Sequence, residues 1–401
     1  MAAAEIPGRS PMIDDASPPK PAFLENLLFG TTIDRVPALI PGVALAAAVV
    51  AASVGLAELI NTALGFDGLV SFILLAIVVG MIVRNTVGLN DVFAPGVAFS
   101  LKKLLRLGII LLGIRLSILD VLKIGGFGIP IVLGAVLTGL IVATAATRRL
   151  GLSDRLGTLI AIGTGICGAT AIVATAPGIG AKDEEIAYAV ANITIFGIAA
   201  MLLYPFLGNL IFGGDIIKTG LFLGTSIHET AQVAGAGLIY DQSFGITTSP
   251  SGADIAVVAK LVRNALMVLA IPGITYLYAR RLRNEGEEAG RQTRLVELIP
   301  VFIFGFLAMA GLRSLGDAGI ASGGQALGIW GEQAWSDLTH TIRNWAEYVL
   351  ATAMAGVGLG TSITQLKGLG IKPFLVGIAT ALAVGVVSVG LVFVFGPLIS
   401  V

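Results

Sequence analysis

Residues 224–236 read GTSIHETAQVAGA, and their reading decides the fold. They lie in the stretch 218–239, which carries no charge between Lys218 and the pair His228 and Glu229. A bilayer crossing takes roughly 20 mostly apolar residues, so the pair falls near mid-membrane. Ionisable groups at that depth are costly, and they pair with one another or line a cavity. Adjacent residues on an α-helix point about 100° apart, so both side chains can face one groove only where the helix unwinds. His titrates at about 6.5 and Glu at about 4.3 when unperturbed, and together His228 and Glu229 read as a proton-coupling pair. The competing reading is a structural pair bonded to a neighbouring helix. Ser226 and Thr230, on either side, are candidate ligands for substrate or ion.

The rest of the chain places this stretch in a membrane. Of 401 residues, 56% are hydrophobic and only 12% charged, with a mean hydropathy of +0.93. Soluble domains run at about a quarter charged. Basic and acidic residues balance at 25 each, which gives no general attraction to nucleic acid. The 53 glycines suit close helix packing in lipid. One Cys excludes an internal disulfide framework, two His make an all-histidine metal site implausible, and no cofactor is expected. GxxxxGK[ST] is missing from the sequence, so ATP-driven transport would need a separate subunit. The fold class expected is an all-α polytopic membrane protein.

Eleven spans are expected: 38–60, 66–83, 93–116, 124–147, 157–177, 186–208, 218–239, 253–279, 295–312, 341–362 and 370–397. Lys102, Lys103 and Arg106 interrupt the third, whose true start could lie near Leu104. Residues 1–37 are too polar and acidic for a signal peptide. They read as a cytoplasmic, largely disordered tail with a short interfacial helix between Phe23 and Val36, or as a loose leader into the first span. Residues 38–401 read as a single transmembrane transporter domain. With the N-terminus cytoplasmic, 18 basic residues fall on the cytoplasmic side and 5 outside, as the positive-inside rule requires. The C-terminus is then outside. The outer connection 313–340 carries Trp330 and Trp335, read as interface anchors.

Two internal echoes bear on architecture. Residues 113–134, GIRLSILDVLKIGGFGIPIVLG, resemble residues 358–377, GLGTSITQLKGLGIKPFLVG. They enter opposite faces, which predicts an inverted repeat of the kind built around a midplane site in secondary transporters. Residues 163–176, GTGICGATAIVATA, echo residues 224–236. Each is followed by a span bearing an Asn, Asn192 and Asn264. Gly163, Gly165 and Gly168 crowd one mid-span, where each costs about 1 kcal/mol in a continuous helix. Discontinuous helices crossing near the midplane use them instead, with freed backbone groups facing a cavity. Thr164, Gly165, Gly168, Thr170 and Asn192 are therefore candidate substrate- or ion-binding residues, against the alternative of a close-packing face. Cys167 reads as a small packing residue.

The eighth span supplies the opposite charge in AKLVRN, 259–264. Lys260 and Arg263, three apart, share a helix face, bordered by Asn264. They are expected to pair with Glu229, to hold an anionic substrate, or to exchange between these roles. Arg263 is the first choice for an oxyanion because its planar fork gives two parallel bonds. Glu58 and Glu347, nearer span ends, are left out of this core.

The combination of FSLKKLLRLGIILLGIRLS, GTGICGATAIVATAP, the His-Glu segment and KLVRN resembles the conserved membrane proteins labelled sulfate exporters, the YeiH-like family, from about Leu39 to Val401. That family commonly has Asp where Glu229 stands. It is itself similar to the bile-acid/arsenite transporter superfamily. This resemblance implies two inverted repeats, broken helices crossing near the midplane, and panel and core bundles interleaved in one domain.

The function expected is secondary transport, as an exporter, of a small anion such as sulfate or a sulfonate, coupled to H+ or Na+. The alternatives are a proton-coupled carrier of a non-anionic organic solute and an anion channel. An enzyme is not expected. The partners expected are the anion, the coupling ion, membrane lipid and a second copy in a homodimer, in the bacterial inner membrane.

Overall fold

The computed structural model describes residues 22–65, 70–284, 298, 300–363 and 370–399. A short helix α1 (Phe23–Leu28) and a 3-10 stretch (Ile33–Leu39) lead into α2 (Ile40–Leu64). Next come α3 (Phe72–Thr86), α4 (Ala94–Phe99), a π-helical turn (Ser100–Leu104), α5 (Leu105–Leu112) and a 3-10 turn (Gly113–Arg115). Helices α6 (Ile118–Arg149), α7 (Asp154–Gly165), α8 (Ala169–Thr175), α9 (Asp183–Phe212), α10 (Ile216–Ser226) and α11 (Thr230–Ser243) follow. Then come α12 (Gly252–Ala265), α13 (Met267–Asn284), α14 (Phe302–Ala321), α15 (Glu332–Gly360) and α16 (Ile371–Phe395). Helix α1 falls within the stretch 23–36; residues 1–21 lie outside the described residues.

Helices α2 to α5, α14 and α15 pack on one another as one bundle, and α6 to α13 with α16 as a second. Glycine makes the closest approaches possible, as expected where small residues let backbones touch. A Cβ on Gly96 of α4 would sit 2.0 Å from the Leu39 carbonyl, and one on Gly358 of α15 would sit 2.3 Å from that of Ile77. Large apolar side chains such as Leu210, Leu269 and Val386 are more than two-thirds exposed, the surface a bilayer would cover.

The count of eleven spans is corrected. Among the described residues, six helical stretches are long and apolar enough to cross: Ile33–Leu64, Ile118–Arg149, Asp183–Phe212, Gly252–Tyr278, Phe302–Ala321 and Ile371–Leu398. α3 has only 15 residues, α4–α5 is interrupted by its basic residues, and the first half of α15 is amphipathic. Two other expected spans, 157–177 and 218–239, turn back on themselves.

The chain leaves the bundle end at Ser153 and returns to it by Glu185, whose carboxylate accepts the Ser153 hydroxyl at 2.5 Å. A Cβ on Gly163 would lie 2.7 Å from the Ile172 side chain, so α8 folds back along α7. Likewise a Cβ on Gly220 would lie 2.9 Å from the Gly252 carbonyl, and one on Gly237 would lie 2.5 Å from Ala253 Cα. The start of α10 and the end of α11 therefore both flank the start of α12. The two segments are re-entrant hairpins rather than discontinuous helices that cross.

The hairpins enter from opposite ends. Gly178 packs on Thr275 of α13, at the end that also holds Arg148 and Asp154; we call this face one. The mouth of the second hairpin lies at the opposite end, face two, with Arg115, Ser249 and the start of α15. Their entering arms have 12 and 11 residues, about 18 and 16 Å at 1.5 Å per residue. Together these match the roughly 30 Å of a bilayer core, so the tips meet near its middle. Lys182 moves to face one and Lys218 to face two, which leaves the 18-to-5 basic bias unchanged. α6 and α16, which carry the longer sequence echo, pack along each other. Trp335 is not an interface anchor: it is 4% exposed and donates its indole N–H to Asp317 at 2.8 Å.

Candidate functional site: the hairpin tips and the buried basic pair

The weaker sequence echo is the one that marks equivalent structure. α7 ends at Gly165 and α10 at Ser226, the helices break at 166–168 and 227–229, and α8 and α11 begin at Ala169 and Thr230. Thr164 thus matches Thr225, Ile166 matches Ile227, and Gly168 matches Glu229. Gly168 has φ +72° and ψ −136°, a region essentially restricted to glycine.

Lys260 and Arg263 of α12 lie between the tips, and both are fully buried. Lys260 Nζ donates to the carbonyls of Ile166 at 3.0 Å, Ile227 at 3.1 Å, and His228. Arg263 donates through Nε to Gly165 at 2.8 Å and through Nη2 to Thr164. Its Nη1 donates to Thr225 at 2.8 Å and Ile227 at 3.1 Å. Each cation therefore bonds matching residues of both hairpins.

The physical cause is plain in the backbone. The last four carbonyls of a helix have no intrahelical partner, and the C-terminal end carries about −0.5 charge. Here two such ends point at each other across the core, and two cations supply donors to both. At 1.5 Å per residue, Lys260 and Arg263 sit about 12–17 Å along α12 from its start, which is the depth of the tips.

The other candidates divide. Asn264 Nδ2 donates to the Thr230 hydroxyl at 3.0 Å, joining α12 to the second hairpin. Glu229 and Thr230 are half-buried, and Glu229 packs on Gly168, where a Cβ would approach its side chain to 3.2 Å. Glu229 forms no ion pair within 4 Å among the described residues, so its expected direct pairing with Lys260 or Arg263 is not the arrangement found. Its backbone N–H donates to Gln232 Oε1 at 3.2 Å. Among the described residues, His228 Nδ1 and Asn264 Oδ1 are buried without a hydrogen-bond partner. Ser226 bonds back to Phe222 within its own helix. Thr164 and Gly165 contribute carbonyls rather than side chains, and Thr170 is exposed. Asn192 turns to α16, donating to the Pro373 carbonyl. Cys167 is buried, with Sγ 3.2 Å from Met267 Sδ.

Arg263 spends its donors on backbone, so its fork does not stand open to an oxyanion as the spacing led us to expect. Among the described residues, no group of three or more His, Cys, Asp or Glu could hold a metal ion. Sequence reasoning missed Arg115, Asp241 and Asp254 and set Glu347 aside. Arg115 Nε lies 3.1 Å from Asp254 Oδ2, and its Nη1 lies 3.5 Å from Glu347 Oε1. The available signal was Asp254 in the first turn of a span, six residues before Lys260 on the same helix.

These features define a multi-pass α-helical membrane protein with two opposed re-entrant hairpins held by a basic pair. The chain belongs to the family described as "Conserved hypothetical protein 698", which matches residues 41–377. It is similar to bacterial proteins named UPF0324 membrane proteins. That of Bacillus cereus is 34% identical over 340 residues, covering 83% of this chain and 89% of the relative. That of Pseudomonas aeruginosa is 34% identical over 349 residues, covering 85% and 90%. That of Agrobacterium fabrum is 31% identical over 357 residues, covering 88% and 92%.

Proposed function

We propose that this protein is a secondary transporter of a small anion that works by alternating access at the hairpin tips, in the bacterial inner membrane with face one cytoplasmic. The observation that carries the reading is the meeting of two re-entrant hairpins from opposite faces at one buried basic pair. Irregular backbone at membrane depth is tolerated where it is buried in protein or lines a cavity. A site reached by one hairpin from each side can be opened to either side in turn. The second bundle, which holds both hairpins, would move against the first.

Charge supports an anion. Lys260 and Arg263 contribute two positive charges, and the two helix C-termini offset about one of them. Glu229 cancels the remainder when ionised and leaves about one positive charge when protonated. An anion and a proton on Glu229 therefore enter together, with Thr230, Asn264 and the half-open side of Glu229 as the contact surface. Lys260 and Arg263 act mainly through their field in this account. Sulfate or a sulfonate is the substrate class we favour. The three carbonyls around Lys260 Nζ already hold a cation, which favours a proton over sodium as the coupling ion.

The test is a thermal-shift screen of purified protein against sulfate, sulfite, thiosulfate, taurine, phosphate and dicarboxylates at matched ionic strength. Ligands that bind only the folded state raise its stability. One anion should stabilise the wild type and lose most of that effect in Lys260→Met. No shift with any of them, or the same shift in Lys260→Met, would overturn the reading.

A further inference from the structure

A second set of buried charges lies at face two, away from the hairpin tips. Asp241 is near the end of α11 and Asp254 opens α12, so the turn between these helices carries a carboxylate on each side. Asp241 is 7% exposed and Asp254 1%. Asp254 Oδ2 accepts the Ser251 N–H at 2.9 Å and faces Arg115, while Asp241 Oδ2 accepts the Ala253 N–H at 3.1 Å. Asp254 Oδ1 is buried with no hydrogen-bond partner among the described residues, and the Asp241 carboxyl also meets the Ser251 hydroxyl. Arg115 is the cation facing the pair, and it is shared with Glu347 of α15. Tyr240, on the same helix as Asp241, has a buried hydroxyl beside Thr219.

Asp254 and Glu347 thus share one guanidinium, and Asp241, also almost fully buried, makes no ion pair of its own among the described residues. At Asp241, burial and the neighbouring Asp254 carboxylate favour the neutral carboxyl. A proton on Asp241 relieves that repulsion and makes its carboxyl a donor. A sodium ion in its place would sit beside the Arg115 guanidinium, which disfavours it.

We propose that Asp241, beside Asp254, is a proton-binding site that holds its proton in this conformation, and that its occupancy sets the strength of a latch between the two bundles. Arg115 and Glu347 belong to the first bundle, whereas Asp241 and Asp254 belong to the second. The same junction carries two further ties: the Ser249 hydroxyl donates to the Arg115 carbonyl at 2.6 Å, and the Ser71 hydroxyl donates to Gln242 Oε1 at 2.6 Å. With the proton bound, one Asp254 carboxylate faces Arg115 and the latch is closed. Without it, the Asp241 carboxylate repels Asp254 across the turn and competes with it for Arg115, which loosens the Asp254–Arg115 contact.

Protons have a route in. Arg115 and Ser249 line a cavity of about 490 Å³ at this face, together with Arg313, His340 and Arg343. The site also connects to the hairpin tips, because Lys260 and Arg263 follow Asp254 by six and nine residues on α12, about 9 and 14 Å. Coupling of this proton to anion movement rests on the transport reading; binding of the proton does not.

The experiment uses the full-length protein in lipid nanodiscs with no substrate present. A carboxyl held protonated only in the folded state makes stability fall as pH rises through its titration, by up to tenfold in the folding constant per pH unit. Wild type should lose stability from mildly acid to mildly alkaline pH, and Asp241→Asn, which fixes the neutral form, should flatten that slope. Infrared difference spectra should show a protonated carboxyl band in wild type that Asp241→Asn removes. Asp254→Asn, which strands Arg115, should be less stable throughout. If Asp254→Asn does not fold, the first two measurements on Asp241→Asn suffice. A wild-type pH slope unchanged in Asp241→Asn, absence of the carboxyl band, or a sodium-dependent rather than pH-dependent transition would overturn the proposal.

Discussion

Replacing Arg263 by Met tests how the hairpin tips are held. The substitution keeps most of the side-chain volume and removes four hydrogen bonds, to Thr164, Gly165, Thr225 and Ile227. The Ile227 carbonyl keeps its bond to Lys260, so three buried carbonyls lose the partner that Arg263 gave them. Side-chain hydrogen bonds inside membrane proteins average about 0.6 kcal/mol, which sets a floor near 2 kcal/mol for four. Stranded buried acceptors cost about 1–3 kcal/mol each, and local relaxation recovers part of that. The expected loss is about 2–5 kcal/mol. Lys260→Met strands two carbonyls, those of Ile166 and His228, and should cost less. The double variant should lose more than the sum of the two, because the Ile227 carbonyl is stranded only when both cations are gone. Chemical unfolding of the purified variants in mixed micelles reads these differences. Wild-type stability in Arg263→Met would refute the claim that this side chain ties the hairpins together.

Three further outcomes follow from the same geometry. Gly168→Ala should cost about 1–3 kcal/mol through its backbone conformation and should crowd Glu229, whereas Gly126→Ala on α6, with open space around it, should be neutral or stabilising; unfolding of both variants makes the comparison. Glu229→Gln should keep anion binding, measured by calorimetry, but flatten its pH dependence, since it fixes the state that accompanies the anion; a wild-type pH profile would count against the role given to Glu229. Trp335→Phe should cost about 1 kcal/mol by leaving the Asp317 oxygen without the indole N–H, and a thermal scan would show it.

Much of this site was legible in the sequence. Glycine crowding at 163–168 and the buried His228–Glu229 pair pointed to broken helices, the Lys260–Arg263 spacing pointed to a charged centre, and the structure brings all three together. The direction of the chain after each break was not legible. Hydropathy registers that 157–177 and 218–239 are apolar and about 20 residues long, but a straight crossing and a hairpin of two half-length arms give the same pattern. What separates them is nonlocal: Ser153 against Glu185, and Gly237 against Ala253. The basic-residue bias did not help, because two hairpins restore the parity that each alone would change. Arg263 was misjudged for a related reason. Its fork suits an oxyanion, but it suits opposed helix C-termini equally well, and only the hairpin geometry creates those ends. The Arg115–Asp254 pair joins distant parts of the chain, and no local pattern in the sequence pairs them.

The account depends most on the two hairpins entering from opposite faces, and thiol labelling tests that directly. In a Cys167→Ala background, single cysteines at Lys182 and Lys218 are compared with reference cysteines at Arg149, on face one, and Gly331, on face two. An impermeant reagent is applied to intact cells and then to broken ones. The hairpin arrangement predicts that Lys182→Cys labels with Arg149→Cys and that Lys218→Cys labels with Gly331→Cys. Two straight crossings would reverse both results, and that reversal would contradict the fold and the site built on it.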